Sequence, residues 1–185
     1  LSSQSPVKLN LGKIRYIFGD KNGNLAIATS SGQVILYELI NEEIIQTDTY
    51  NLDSDKVKLS ENGQYLAIKG NATDSQYSVE DQSLYVYNTS TQTLVKKWYY
   101  NYFNEGGEHL FDFDFSGNAS QVIQRTGEWS GSSWSYKNYL SNTFSNETIT
   151  LNSNNIDNIT FSTESNIATT TNSDAYFSKV YENGG

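Results

Sequence analysis

Carboxylates supply the first candidate chemistry. Asp112 and Asp114 lie two residues apart in His109-Leu-Phe-Asp-Phe-Asp-Phe-Ser-Gly117, and Glu108 stands just before this stretch. Side chains alternate between the faces of a strand, so the spacing puts both aspartates on one face and Phe111, Phe113 and Phe115 on the other. Two carboxylates converging on a pocket would serve metal binding or glycoside hydrolysis. The solvated side of an amphipathic strand accounts for the same pattern and is the preferred reading. The single histidine, His109, has no cysteine in the chain to pair with and no serine-elbow motif beside it, so it reads as a structural strand-entry residue. Asp20, Asn22 and Asn24 place oxygen ligands at alternate positions, as Ca²⁺ loops do, but no bidentate acid follows at the required distance. Ordinary turn chemistry explains Asp, Asn and Gly in this segment, and no metal or other cofactor is expected.

Two aromatic clusters offer binding surfaces instead. Trp98-Tyr-Tyr-Asn-Tyr-Phe103 reads mostly as the core face of a long strand, with Tyr102 as its outermost surface candidate. Trp129, Trp134 and Tyr136 sit among Ser and Gly residues, a setting that favours exposure. Aromatic platforms beside small polar residues recognise proteins and sugars.

The elements that position these residues repeat along the chain. Ile14–Phe18, Leu25–Ala28, Gln33–Leu39 and Ile44–Tyr50 read as strands separated by Asn-Gly, Ser-Gly and Asn-Glu turns. A second copy runs through Lys56–Leu59, Gln64–Ile68, Ser83–Tyr87 and Thr93–Trp98, with an insertion at Asn71–Asp81. A weaker third copy takes His109–Phe115, Gln121–Gln124, Tyr136–Leu140 and Glu147–Leu151. The fourth has Ile156–Phe161, Asn166–Thr169 and Ala175–Tyr181. Leu25, Leu66, Val122 and Ile167 fall at equivalent points. A period of roughly 40–45 residues with four strands per copy is the signature of a β-propeller blade.

Asp20-Lys-Asn-Gly-Asn-Leu-Ala-Ile27 with Val34-Ile-Leu-Tyr37, and Ser60-Glu-Asn-Gly-Gln-Tyr-Leu-Ala-Ile68 with Leu84-Tyr-Val-Tyr87, resemble the blades of the WD40-like and YVTN-like propeller superfamily. The resemblance is strongest over residues 14–98. The chain has no Trp-Asp dipeptide and no Gly-His pair, so the resemblance implies a fold and a scaffold role rather than a particular partner. The expected fold is all-β: one domain over residues 1–185, a propeller of about four four-stranded blades. The segment Val7–Leu11 is expected to complete the last blade. The alternatives are a fragment of a larger propeller, or a strand donated to the next subunit in a head-to-tail polymer.

Composition narrows the function classes. The 185 residues carry a net charge of -9, from 12 basic and 21 acidic residues, and the basic ones are scattered. Nucleic acid is therefore not an expected partner, since its binding needs clustered Lys and Arg. Aromatic residues reach 14% and charged ones only 18%, which argues for a folded chain. No apolar stretch is long enough to span a membrane. There is no Cys and no Met, and a chain opening on Leu1 reads as a processed or excised form, as after removal of a signal peptide. Asn71, Asn88, Asn118, Asn146 and Asn158 head sequons, a number that chance supplies at this composition. The leading expectation is an extracellular or cell-surface, non-enzymatic module for interaction or assembly. Its setting would be a surface layer or filament, its partner a protein or a second copy met through the N-terminal strand, with glycans as further ligands. The alternatives are a carbohydrate-binding module and a propeller-type glycoside hydrolase.

Overall fold

Each copy of the repeat folds into one antiparallel sheet. A computed structural model describes residues 8–71, 82–101, 107–151, 158–161, 168–171 and 179–181. The first sheet contains β1 (Ile14–Gly19), β2 (Leu25–Thr29), β3 (Val34–Ile40) and β4 (Glu43–Tyr50). The second contains β5 (Ser54–Leu59), β6 (Tyr65–Asn71), β7 (Gln82–Asn88) and β8 (Thr93–Tyr100). The third contains β9 (Glu108–Phe115), β10 (Gln121–Trp129), β11 (Trp134–Asn142) and β12 (Thr148–Leu151). The fourth contains β13 (Asn158–Phe161), β14 (Ala168–Thr171) and β15 (Lys179–Tyr181). Within every sheet the strands follow chain order, three sheets having four strands and the last having three among the described residues.

The turn between the first two strands explains why the copies match. In the first, the Gly23 N–H donates to the Asp20 carbonyl at 3.4 Å, and Gly23 has φ +90°. In the second, the Gly63 N–H donates to the Ser60 carbonyl at 2.9 Å. In the third, Ala119 takes the same place, donating to the Ser116 carbonyl at 2.8 Å with φ 61°. A buried alanine in the left-handed region is costly and uncommon, so the third copy hides its turn from a reader looking for Asn-Gly.

Apolar layers join the sheets. Ala26, Ala28, Val34 and Leu36 of the first meet Val57, Leu59, Leu66, Ile68 and Tyr85 of the second. Ala67, Leu84, Val86 and Tyr100 then meet Leu110, Phe113, Phe115 and Val122 of the third. Ile123, Leu140 and Leu151 receive Phe161 of the fourth. Fully burying one Leu, Ile, Val or Phe is worth roughly 1.5–3 kcal/mol. This succession of stacked sheets agrees with a partial propeller.

Charges cross between neighbouring first strands. Arg15 pairs with Asp53, which directly precedes β5, Lys56 with Asp112 and Lys58 with Asp114. The Asp114 carboxylate also accepts the Phe161 N–H, which ties β5, β9 and β13 together. Asp112 and Asp114 therefore do not form a solvated face: the Asp114 side chain keeps only 8% of its exposure.

Two further expectations are corrected. Phe111 does not share a face with Phe113 and Phe115. Arg125 opposes Asp112 while Thr126 opposes Leu110, so Phe111 is the extra residue of a β-bulge and swings to the other side. Among the described residues, the segment expected to complete the last sheet does not pair with it. Val7 lies outside the described residues, and residues 8–11 form no strand. Leu9 and Leu11 instead pack beside Ile27, Ile35 and Tyr37 of the first sheet, because that apolar face is the nearest cover for two leucines spaced by Asn10.

Gly70 marks the tightest approach between backbones. A Cβ there would stand 2.7 Å from the Asp53 carbonyl oxygen, which already accepts the Asn71 N–H at 3.1 Å. Gly70→Ala is expected to destabilise the fold by about 1–3 kcal/mol, seen as a lowered urea midpoint with an unchanged slope.

Candidate binding surface

The hairpin β10–β11 carries the surface. Both strands are nine residues long, and their pairing continues to the Trp129–Trp134 pair at the tip. The connection closes with the Ser130 N–H donating to the Ser133 carbonyl at 3.0 Å, and Gly131 supplies the left-handed residue at φ +87°. Trp129 and Trp134 are therefore strand ends facing each other, not members of a loose glycine-rich loop.

Beneath them the aromatic rings interlock. The bulge brings Phe111 edge-on to Trp134 at 4.9 Å and 88°, and against Tyr136 at 5.3 Å. Trp129 leans on Trp134 at 5.4 Å with 53° between the ring planes. Arg125 lies over the Tyr136 ring at 4.5 Å, and His109 abuts Phe111 at 4.7 Å. Gly127 makes room for this packing: a Cβ there would fall 2.8 Å from Phe111 Cε2 and 3.2 Å from both Trp134 and Tyr136. The result is a supported platform on which Trp129 remains 48% exposed while Trp134 and Tyr136 are half-buried.

The other face of the same hairpin is polar. The Lys137 ammonium donates to Glu128 and lies 3.5 Å from Glu108. The Tyr139 hydroxyl donates to Glu108 at 2.6 Å. Burial, and then this bond, push the Tyr139 hydroxyl up to about 12, so it stays a donor at neutral pH. The bond to Glu128 likewise raises Lys137. The three carboxylates considered for hydrolysis thus have separate partners: Glu108 meets Tyr139, Asp112 meets Lys56, and Asp114 meets Lys58.

The remaining sequence candidates are dispersed. The Asp20 carboxylate accepts the Asn22 and Asn24 backbone N–H groups, each at 2.8 Å, and the Asn24 side-chain amide at 2.7 Å, an arrangement that closes a turn. Among the sequons, Asn88 accepts backbone N–H groups from Ser90 and Thr91, and Asn118 accepts one from Ser120. Asn146 accepts from Lys96 at 2.7 Å, Asn71 is exposed at the end of β6, and Asn158 lies on β13. Tyr102 lies outside the described residues. Phe111, Arg125 and Gly127 belong to the surface but were not singled out from sequence. A glycine inside the strand pattern is the signal that would have pointed to a close approach there.

No protein-family model matches the sequence, and no curated protein matches it either. Solved structures do. An uncharacterized protein, lmo1340, from Listeria monocytogenes EGD-e superposes with a TM-score of 0.62 at 11% identity, over 93% of this chain and 49% of that one. KlAtg21, in complex with the coiled coil of AgAtg16, gives 0.60 at 11% identity, over 92% and 53%. The β-propeller domain of the Trilobed protease from Pyrococcus furiosus, which has an open velcro topology, gives 0.55 at 7% identity, over 94% and 56%. At these identities the likeness shows the fold alone, and that fold is a β-propeller. The chain spans about half the length of these solved structures.

His109 adds a pH dependence. Burial first, and the Lys69 charge second, lower its pKa below the ordinary 6.5, with Asp55 opposing them. The unfolded chain therefore binds more protons than the folded one between the folded value and 6.5, so stability falls as pH drops through that window. The urea midpoint of His109→Gln is expected to fall less than that of the wild type between pH 7 and pH 5.5.

Proposed function

We propose that the chain is a non-enzymatic, extracellular or cell-surface propeller module that binds a protein partner through the aromatic tip of β10–β11. The observation that carries this reading is Trp129: a large ring, 48% exposed, held in place by Trp134, which Phe111 backs in turn. Rigid aromatic anchors contribute most of the energy at protein interfaces because they bury a large area at small entropic cost. Glu128 and Lys137 on the reverse face supply a polar surround. The partnering of Glu108, Asp112 and Asp114 by separate donors favours binding over hydrolysis, and the net charge of -9 disfavours nucleic acid. That KlAtg21 meets a protein partner lends general support. The polar, weakly charged composition favours an exported setting such as a surface layer or filament.

Carbohydrate binding is the second reading, supported by the same tryptophans. The 53° between their planes gives no coplanar pair across which a sugar ring could lie flat, which favours a protein side chain packed against the exposed Trp129 ring. Selection of a random-peptide library against the chain, with a glycan array in parallel, tests both. Peptides are expected to bind wild type at least tenfold more tightly than Trp129→Ala, a difference of about 1.4 kcal/mol, with the array silent. Peptides indifferent to Trp129, or glycans that depend on it, would contradict the proposal.

A further inference from the structure

One of the five sequons differs from the others in what stands two residues before its asparagine. At Asn71, Asn88 and Asn118 that residue is Lys69, Val86 and Ser116, all of them buried. At Asn146 it is Phe144, which is 55% exposed. For Asn158 it is Ile156, which lies outside the described residues. An N-linked sugar needs a surface site, and Asn146 and the sequon hydroxyl residue Thr148 are both exposed, whereas Asn88 is half-buried.

The turn between β11 and β12 directs Phe144 and Asn146 the same way. The Asn142 side-chain oxygen accepts the Phe144 N–H at 2.8 Å and the Ser145 N–H at 3.1 Å. The Asn142 N–H donates to the Glu147 carbonyl at 2.9 Å, which closes the turn. Both side chains then reach the second sheet. Phe144 meets the Tyr65 ring edge-on at 5.4 Å. The Lys96 ammonium donates to the Ser145 carbonyl and to the Asn146 Oδ1, each at 2.7 Å. Lys96 therefore holds the Asn146 amide by its oxygen. The amide nitrogen, Nδ2, has no partner among the described residues.

We infer that Asn146 accepts an N-linked glycan whose first sugar lies over the Phe144 ring. The inference rests on the exported setting proposed above. The donor is a lipid diphosphate-linked oligosaccharide, used by a membrane glycosyltransferase. Nδ2 attacks the anomeric carbon, the bond from that carbon to the diphosphate oxygen breaks, and the amide gives up one proton as the lipid diphosphate leaves with the electron pair. Oδ1 keeps its bond from Lys96, so the sugar leaves the turn beside Phe144. The face of an aromatic ring carries partial negative charge and suits the C–H side of a sugar. The glycan thereby covers a phenylalanine that the fold leaves exposed. Val86 and Ser116 offer no such ring to Asn88 and Asn118.

Secretion of the full chain from cultured eukaryotic cells, with peptide mapping of each sequon, tests the inference. Asn146 is expected to carry sugar on more molecules than Asn88 or Asn118. Trimmed to its first sugar, the chain should have a higher urea midpoint than Asn146→Gln made and trimmed in the same way. Phe144→Ala should remove that gain and keep the β-sheet circular dichroism, because the ring is already exposed. A bare Asn146 on the secreted chain, the absence of a gain, or a gain that survives Phe144→Ala would each overturn the inference. The exported setting fails by a different result: recovery of the native chain from the cell interior, which leaves the outcome at Asn146 of the secreted chain unaltered.

Discussion

The Asp114 carboxylate is the constraint on which the arrangement of sheets depends. It is nearly buried, and a buried carboxylate must find donors or lose its charge. Lys58 reaches it from β5, and the Phe161 N–H reaches it from β13. One side chain on β9 thereby meets two neighbouring sheets at once. Apolar layers alone would tolerate small slips between sheets, since hydrophobic contact has no direction. A carboxylate with two fixed donors does not. Lys56 reinforces the register from the same strand as Lys58, donating to Asp112 and to the Phe113 carbonyl at 2.8 Å.

The binding surface follows from that anchoring. Asp112, Phe113, Asp114 and Phe115 hold the end of β9 in strict alternation, with the phenylalanines packed on the second sheet. The bulge at Phe111 breaks the alternation immediately beyond the last pinned residue. The ring that would have continued the core is turned outward, beneath the tryptophans. Gly127, opposite His109, accepts it. The same strand thus serves the core at one end and the aromatic platform at the other.

The repeat was legible in the sequence because its register is regular. Leu25 pairs with Tyr37 and Leu66 with Tyr87, as alignment of the first two copies requires. The turn-opening Asp20, Ser60 and Ser116 were equally visible. The full hairpin bearing Trp129 and Trp134 was not, because the strand pattern breaks among the Ser and Gly residues between Gln124 and Tyr136. Other features were hidden for physical reasons. A bulge adds one residue without a reliable sequence mark, so Phe111 was placed on the wrong face. The aspartates looked solvated because their lysine partners lie 56 residues away, on a different sheet, and alternation within a strand says nothing about charges across sheets. Leu9 and Leu11 carried a strand-like pattern, but they pack against Ile27, Ile35 and Tyr37 of the first sheet.

The central claim is that the Lys58–Asp114 pair couples the sheets. A double-mutant cycle on equilibrium unfolding, built from Lys58→Met and Asp114→Asn, measures this directly. The account predicts a coupling energy of at least about 1 kcal/mol, the double variant being less destabilised than the two single losses combined. Additivity of the single losses to within about 0.5 kcal/mol would contradict it.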